Sequence, residues 1–187
     1  FAAVVARGPQ FELAEDAYLN LGWCQYSLGV QGKAEMNAQA IETFAQLRKL
    51  FPKGKYVDQA IFYQGEAHYA RGEKEKAAEA YKEVVEKHPA SSLRSDALYA
   101  LGVAYEELQQ YPQAQLAYER FLREYAQSDV ASEVRMRRAE TVLQGGDAAQ
   151  AERLFGELAA APGFSARDQA ALRQAYCAAK QGKFAAA

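Results

Sequence analysis

One set of small, aromatic and proline residues recurs every 36–37 positions along this 187-residue chain, and that recurrence governs what it can fold into. Ala60, Gly65, Ala67, Ala77, Tyr81 and Pro89 are followed 37 residues later by Ala97, Gly102, Ala104, Ala114, Tyr118 and Ala126. Another 37 residues lead to Val134, Ala139, Thr141, Ala151, Phe155 and Gly163, with Pro162 one residue early. A step of 36 then carries Ala139, Gly146 and Ala151 to Ala175, Gly182 and Ala187. Toward the start, Ala77, Tyr81 and Pro89 fall on Ala40, Phe44 and Pro52. Gly65 and Gly72 fall on Gly22 and Gly29 only if six extra residues stand between Gly29 and Ala40. A unit this short cannot bury its own apolar face, so successive units must stack and share one core.

Each unit reads as two helices. Tyr56–Arg71 carries Ala60, Tyr63, Ala67 and Ala70 at helical spacing and meets Gly72, a residue suited to a helix C-terminus. The segment from Glu73 or Lys74 to His88 repeats Ala77, Ala80, Tyr81, Val84 and Val85 along one stripe, and Pro89 stops it. Ser91 or Ser92 and Ser128 are expected as N-caps of the helices that follow. No strand is expected. The spacing predicts an all-α chain, an α-solenoid of antiparallel helix pairs. Its units are 1–9 (partial), 10–52, 53–89, 90–126, 127–162 and 163–187 (partial). Composition fits this plan: Ala is abundant, Pro is held to 5, and 12 Tyr and 9 Phe stand against one Trp. Phe1 aligns with Phe44 and Tyr81, and Ala187 with Ala151, so both ends read as cuts within a longer array.

The series Gly65, Tyr69, Gly72, Ala77, Tyr81 and Pro89, echoed by Gly102, Tyr105, Tyr111, Ala114 and Tyr118, resembles the tetratricopeptide repeat. The usual period of that repeat is about 34 residues; here the extra residues follow the proline. Phe51-Pro52-Lys53-Gly54-Lys55-Tyr56 and His88-Pro89-Ala90-Ser91-Ser92 are similar to periplasmic tetratricopeptide proteins of outer-membrane assembly and of the Tol–Pal system. The fourth unit departs from the pattern, with Arg137-Arg138-Ala139 in place of an aromatic and a glycine. The resemblance implies a right-handed α-solenoid in which the first helix of each pair lines a concave face that receives a partner peptide or helix. On that basis the partner-binding residues are Asn20, Trp23, Tyr26, Phe62, Tyr63, Glu66, Tyr69, Tyr99, Arg137 and Tyr176. Rigid rings such as Trp23, Tyr26, Phe62, Tyr63 and Tyr99 anchor at low entropic cost. Trp23 and Tyr63 are the rings most expected at the surface, whereas Tyr81, Tyr118 and Phe155 pack between helices. A carboxylate clamp of the chaperone-binding type is disfavoured, because Leu19 and Trp23, then Phe62 and Glu66, occupy the places of its Lys and Asn.

No catalytic, cofactor-binding or metal-ligating constellation stands out. His68 and His88 are far from Cys24 and Cys177 in sequence, and a metal needs more ligands than these. Gly145-Gly146-Asp147 falls at a helix–helix turn, so it reads as punctuation and not as a phosphate loop. No run approaches the roughly 18 apolar residues of a membrane span. A formal net charge of −2 argues against nucleic acid, although residues 163–187 carry four basic residues against one acidic. The expected role is a non-catalytic scaffold for a protein or peptide partner, with a periplasmic or cell-envelope setting favoured over the cytoplasm. Two alternatives stay open: a structural module joining subunits, including by end-to-end self-association, and a regulatory arm of an enzyme elsewhere in a longer chain.

Overall fold

The computed structural model describes residues 1–183, and the described residues form ten α-helices and no strand. These are α1 (Ala2–Val5), α2 (Ala14–Val30), α3 (Glu35–Leu50), α4 (Val57–Ala70), α5 (Lys74–Lys87), α6 (Arg94–Glu107), α7 (Tyr111–Glu124), α8 (Ala131–Gln144), α9 (Ala148–Ala160) and α10 (Arg167–Lys180). The chain forms two compact units, Phe1–Ala104 and Tyr105 onward.

In the first unit α2 packs on α3, α3 on α4, and α4 on α5. The two helices of each pair meet where a ring comes against a glycine. A Cβ added at Gly22 would stand 2.5 Å from the Phe44 ring, and one at Gly65 would stand 2.9 Å from Tyr81. Phe44 and Tyr81 are accordingly buried, together with Leu47, Ile61 and Val84. Burying one such large side chain contributes about 1.5–3 kcal/mol. Phe1, in phase with these rings, is instead 59% exposed, while Val5 of α1 reaches the core. In the second unit α7 packs on α8, α8 on α9, and α9 on α10. There Ala139 replaces the glycine, and both Ala139 and Phe155 are fully buried with Leu158 and Cys177. The fourth unit thus keeps a small residue and a ring in one core despite Arg137 and Arg138. Cys177 is a core hydrophobe, whereas Cys24 is only half-buried, and both are free thiols.

Every first helix from α2 to α10 ends in the same left-handed turn. After α4, Gly72 N–H donates to Tyr69 O and Glu73 N–H to His68 O, with Gly72 at φ +75°. The same pair of bonds closes α2 at Gly32, α8 at Gly146 and α10 at Gly182, all at positive φ. After α6 the position is held by Gln109 at φ +57°, the one non-glycine residue with positive φ among the described residues. Asp147 then caps α9, accepting from Gln150 N–H at 2.8 Å, so Gly145-Gly146-Asp147 is helix punctuation.

Three expectations are corrected. Gly29 is not the counterpart of Gly72: it lies inside α2 against the Asn37 side chain, and Gly32 makes the turn. The extra residues therefore lengthen α2 and α3 to 17 and 16 residues, against 14 in α4 and α5, which is most of a turn in α2 and about half a turn in α3. Ser128 is not the N-cap of α8, which is Val130; Ser128 Oγ accepts from Val130 N–H within the preceding turn. Ser91 does likewise for Leu93 N–H at 3.2 Å, ahead of α6. The alignment of Ala187 with Ala151 lies outside the described residues.

A left-handed conformation penalises any side chain by about 1–2 kcal/mol, partly offset by the freedom glycine loses on folding. Gln109→Gly is therefore expected to raise stability by about 0.5–1 kcal/mol, and Gly72→Ala to lower it by about 1–2 kcal/mol. Urea midpoints at unchanged m-value check both; stabilisation by Gly72→Ala would contradict the turn assignment.

Candidate partner-binding faces

In the first unit the face is built on α2 and α4. Trp23 stands 48% exposed at its surface. Tyr26 donates its hydroxyl to Glu66 Oε2 at 3.0 Å, and Tyr81 of α5 donates to Glu66 Oε1 at 2.7 Å. Burial first, and then the Glu66 charge, pushes both phenols well above the ordinary tyrosine range. Tyr63 is half-buried, stacked on Phe44 at 6.2 Å and set against Tyr26 at the same distance. Phe62 is a correction: it is only 8% exposed, wedged edge-on to Tyr63 and beside Tyr81, so it serves the core and presents no anchor. Tyr63 is likewise less open than its pattern suggests, because its ring fills the gap between helix pairs. Asn20 is exposed, but its amide turns back to Asp16 O at 2.7 Å. Asp16 accepts from Tyr56 Oη at 2.8 Å, which holds its carboxyl below the usual range. Tyr69 and Tyr99 are half-buried.

At the turn after α4, Glu73 accepts from Arg71 Nε at 2.9 Å and from Lys76 Nζ at 3.1 Å, and lies 2.7 Å from His68 Nδ1. These partners, Arg71 foremost, hold its carboxyl down at about 2. His68 is thus accounted for by a hydrogen-bonded cluster at a helix end.

The second unit brings Glu106, α8 and α10 around a cleft of about 420 Å³. Arg137 donates from Nε to Glu133 at 3.0 Å and from Nη1 to Glu106 at 3.4 Å, and Tyr118 donates to Glu106 at 2.8 Å. Arg173 grips both oxygens of Glu140 and stacks on Tyr176, which is 47% exposed. Met136, Phe164, Ser165 and Gln169 complete the walls. Sequence reasoning missed Phe164 and Ser165, which lie in the connection before α10 and outside the repeating positions. It also missed the hydroxyl role of Tyr81 and Tyr118; the signal was that these two ring positions carry Tyr where Phe44 and Phe155 carry none.

Among the described residues no group of three or more His, Cys, Asp or Glu is placed to hold a metal ion. No described helix is long and apolar enough to cross a membrane. The family model for the tetratricopeptide repeat matches residues 30–92, 64–129 and 99–166 in overlapping succession. The chain belongs to the tetratricopeptide repeat family. A tetratricopeptide repeat protein from Parabacteroides merdae superimposes at a TM-score of 0.67 with 22% identity over 98% of this chain; the chain spans 65% of that protein's length. A putative kinesin light chain from Podosopora anserina gives 0.69 at 16% identity, covering 90% of each chain. YrrB, described as a TPR protein with an unusual peptide-binding site, gives 0.68 at 13% identity, covering 99% of this chain and 85% of its own. No curated protein matches in sequence. As a tetratricopeptide repeat chain, this molecule is of the protein–protein interaction scaffold type.

A phenol whose folded pKa is raised above its unfolded value of 10.0 stabilises the fold below that value, and this contribution is lost as pH rises through it. At about pH 11 the tyrosinate absorbance is expected to fall short of the chain's 12 Tyr, with the remainder ionising only on unfolding. Ionisation of all 12 in one transition without loss of helix would contradict the Glu66 arrangement.

Proposed function

We propose that the chain is a non-catalytic scaffold that captures a peptide or helix of a partner protein on the faces of its first helices. One observation carries this reading: each unit has an exposed ring on a first helix that also holds polar groups already locked in place. Trp23 shares α2 with Tyr26 of the Tyr26–Glu66–Tyr81 set, and Tyr176 lies beside the Arg173–Glu140 pair. A rigid ring loses little entropy on docking, and a fixed polar floor needs no rearrangement, so binding energy goes to the partner. Asn20, Tyr63, Tyr69, Tyr99 and Arg137 complete the proposed surface. The peptide-binding site named for YrrB supports the same kind of ligand. The cell-envelope setting suggested by residues 51–126 is part of the proposal, and a signal or lipidation segment in the parent chain is what would establish it.

Peptides selected from a random display library on the wild-type chain provide the test. Trp23→Ala or Tyr176→Ala is expected to weaken the selected peptides at least about tenfold, in keeping with loss of an aromatic anchor. Lys82→Ala, on the second helix α5, should leave affinity unchanged. Equal affinity across all three variants, with helicity intact by circular dichroism, would reject the first-helix faces as the binding surface.

A further inference from the structure

Asp168, Leu172, Tyr176 and Lys180 stand four residues apart, so on α10 they form one continuous ridge. The ridge faces away from Ala170, Cys177 and Ala178, which are the buried side of the helix. Leu172, 69% exposed, is the most open large apolar side chain among the described residues, and Tyr176 is half-exposed beside it. The other charged side chains of α10 and its following turn are committed elsewhere: Arg167 to the Ala159 carbonyl, Arg173 to Glu140 and Lys183 to Glu152. Asp168 and Lys180 are exposed and have no ion pair among the described residues; Lys180 Nζ lies over the Tyr176 ring at 5.6 Å. Ala175 and Ala179 flank the ridge with side chains too small to hold a second helix off.

Along the ridge the order is acid, aliphatic, aromatic, base. Turned end over end it reads base, aromatic, aliphatic, acid, so the ridge is complementary to itself, as the interface of a two-fold dimer must be. We infer that α10 is a self-recognition face whose occupant is the α10 helix of a second copy of this chain. Two such helices, antiparallel about a two-fold axis level with Gln174, set Asp168 opposite Lys180 and Leu172 opposite Tyr176, each contact occurring twice. Interdigitation of ridges with this four-residue spacing is the commonest helix-packing class, with axes crossing at about −50°. The match needs no surplus of charge, because each copy supplies one acid and one base. A contact of one helix per copy falls at the small end of the interface range, so association is weak and concentration-dependent. This contact stands apart from the partner-capture reading: a copy seated on α10 covers Tyr176, so the two ligands exclude one another there.

Sedimentation velocity across a broad concentration series reads association, and circular dichroism checks the helix content of each variant. The weight-average sedimentation coefficient of the wild-type chain is expected to rise with concentration. Asp168→Lys sets cation against cation in both contacts, and Lys180→Asp sets carboxylate against carboxylate. Each alone is expected to weaken association at least about tenfold. Mixed in equal amounts, the two variants regain both opposite-charge contacts and are expected to associate with each other at close to wild-type strength. Glu86→Lys, a comparable charge change at a half-exposed position on α5, should leave association within about twofold. A wild-type chain that stays monomeric throughout would overturn the inference. Association that both single reversals leave intact would overturn it in favour of another surface. Equal weakening by Glu86→Lys would reduce it to net charge, and variants that fail alone and fail again when mixed would contradict the antiparallel register.

Discussion

The contact of an aromatic ring with a residue too small to keep it away is what the rest of this molecule depends on. Phe44 over Gly22, Tyr81 over Gly65 and Phe155 in the Ala139 core are one solution used repeatedly. The small residue lets two helices approach closely, and the ring fills the volume that would otherwise be a void. Neither half works alone. A larger residue on the first helix forces the ring out, and a smaller residue on the second leaves a cavity. Because each pair of helices needs the same contact, its period in the sequence becomes the period of the structure.

The same contact also organises the faces. Tyr81 and Tyr118 are buried rings, yet their hydroxyls emerge beside the first helices and hold Glu66 and Glu106. A side chain that packs the core thus pins a carboxylate on the candidate binding surface. Arg137 and Arg173 extend the arrangement in the second unit, each bridging to a carboxylate of the preceding first helix. Positions that look on sequence grounds like free recognition groups are in large part committed to one another. On the proposed reading they offer a partner a fixed electrostatic floor, while Trp23 and Tyr176 keep about half of their surface open to solvent.

Helix pairs, their order and the ring positions were legible in the sequence because steric demands at close helix contacts admit few residue types. The observed Val57–Ala70 and Lys74–Lys87 helices lie within a residue of the spans read from periodicity and from Gly72 and Pro89. The first pair was harder. Ten residues separate Gly22 from Gly32 against seven from Gly65 to Gly72, so residues added to both helices mimic a single loop insertion. Gln109 was invisible as a turn residue because the hydrogen-bond pattern tolerates a non-glycine at modest energetic cost. The candidate site was less legible than the fold. Phe62 and Trp23 both sit on first helices, but burial depends on what the neighbouring helix presents: Phe62 meets Tyr63 and Tyr81, while Trp23 meets solvent. Phe164 lies outside the period, so no pattern announced it.

A double-mutant cycle on Gly65 and Tyr81 tests the dependence most directly. Gly65→Ala, Tyr81→Leu and the pair would be compared by urea unfolding, which cancels losses that each substitution causes alone, including the Tyr81 hydrogen bond to Glu66. The account predicts that Gly65→Ala is destabilising when Tyr81 is present and nearly neutral beside Leu, a coupling of about 1–3 kcal/mol. Additive effects, with Gly65→Ala costing the same in both backgrounds, would contradict the claim that the glycine is there to receive the ring.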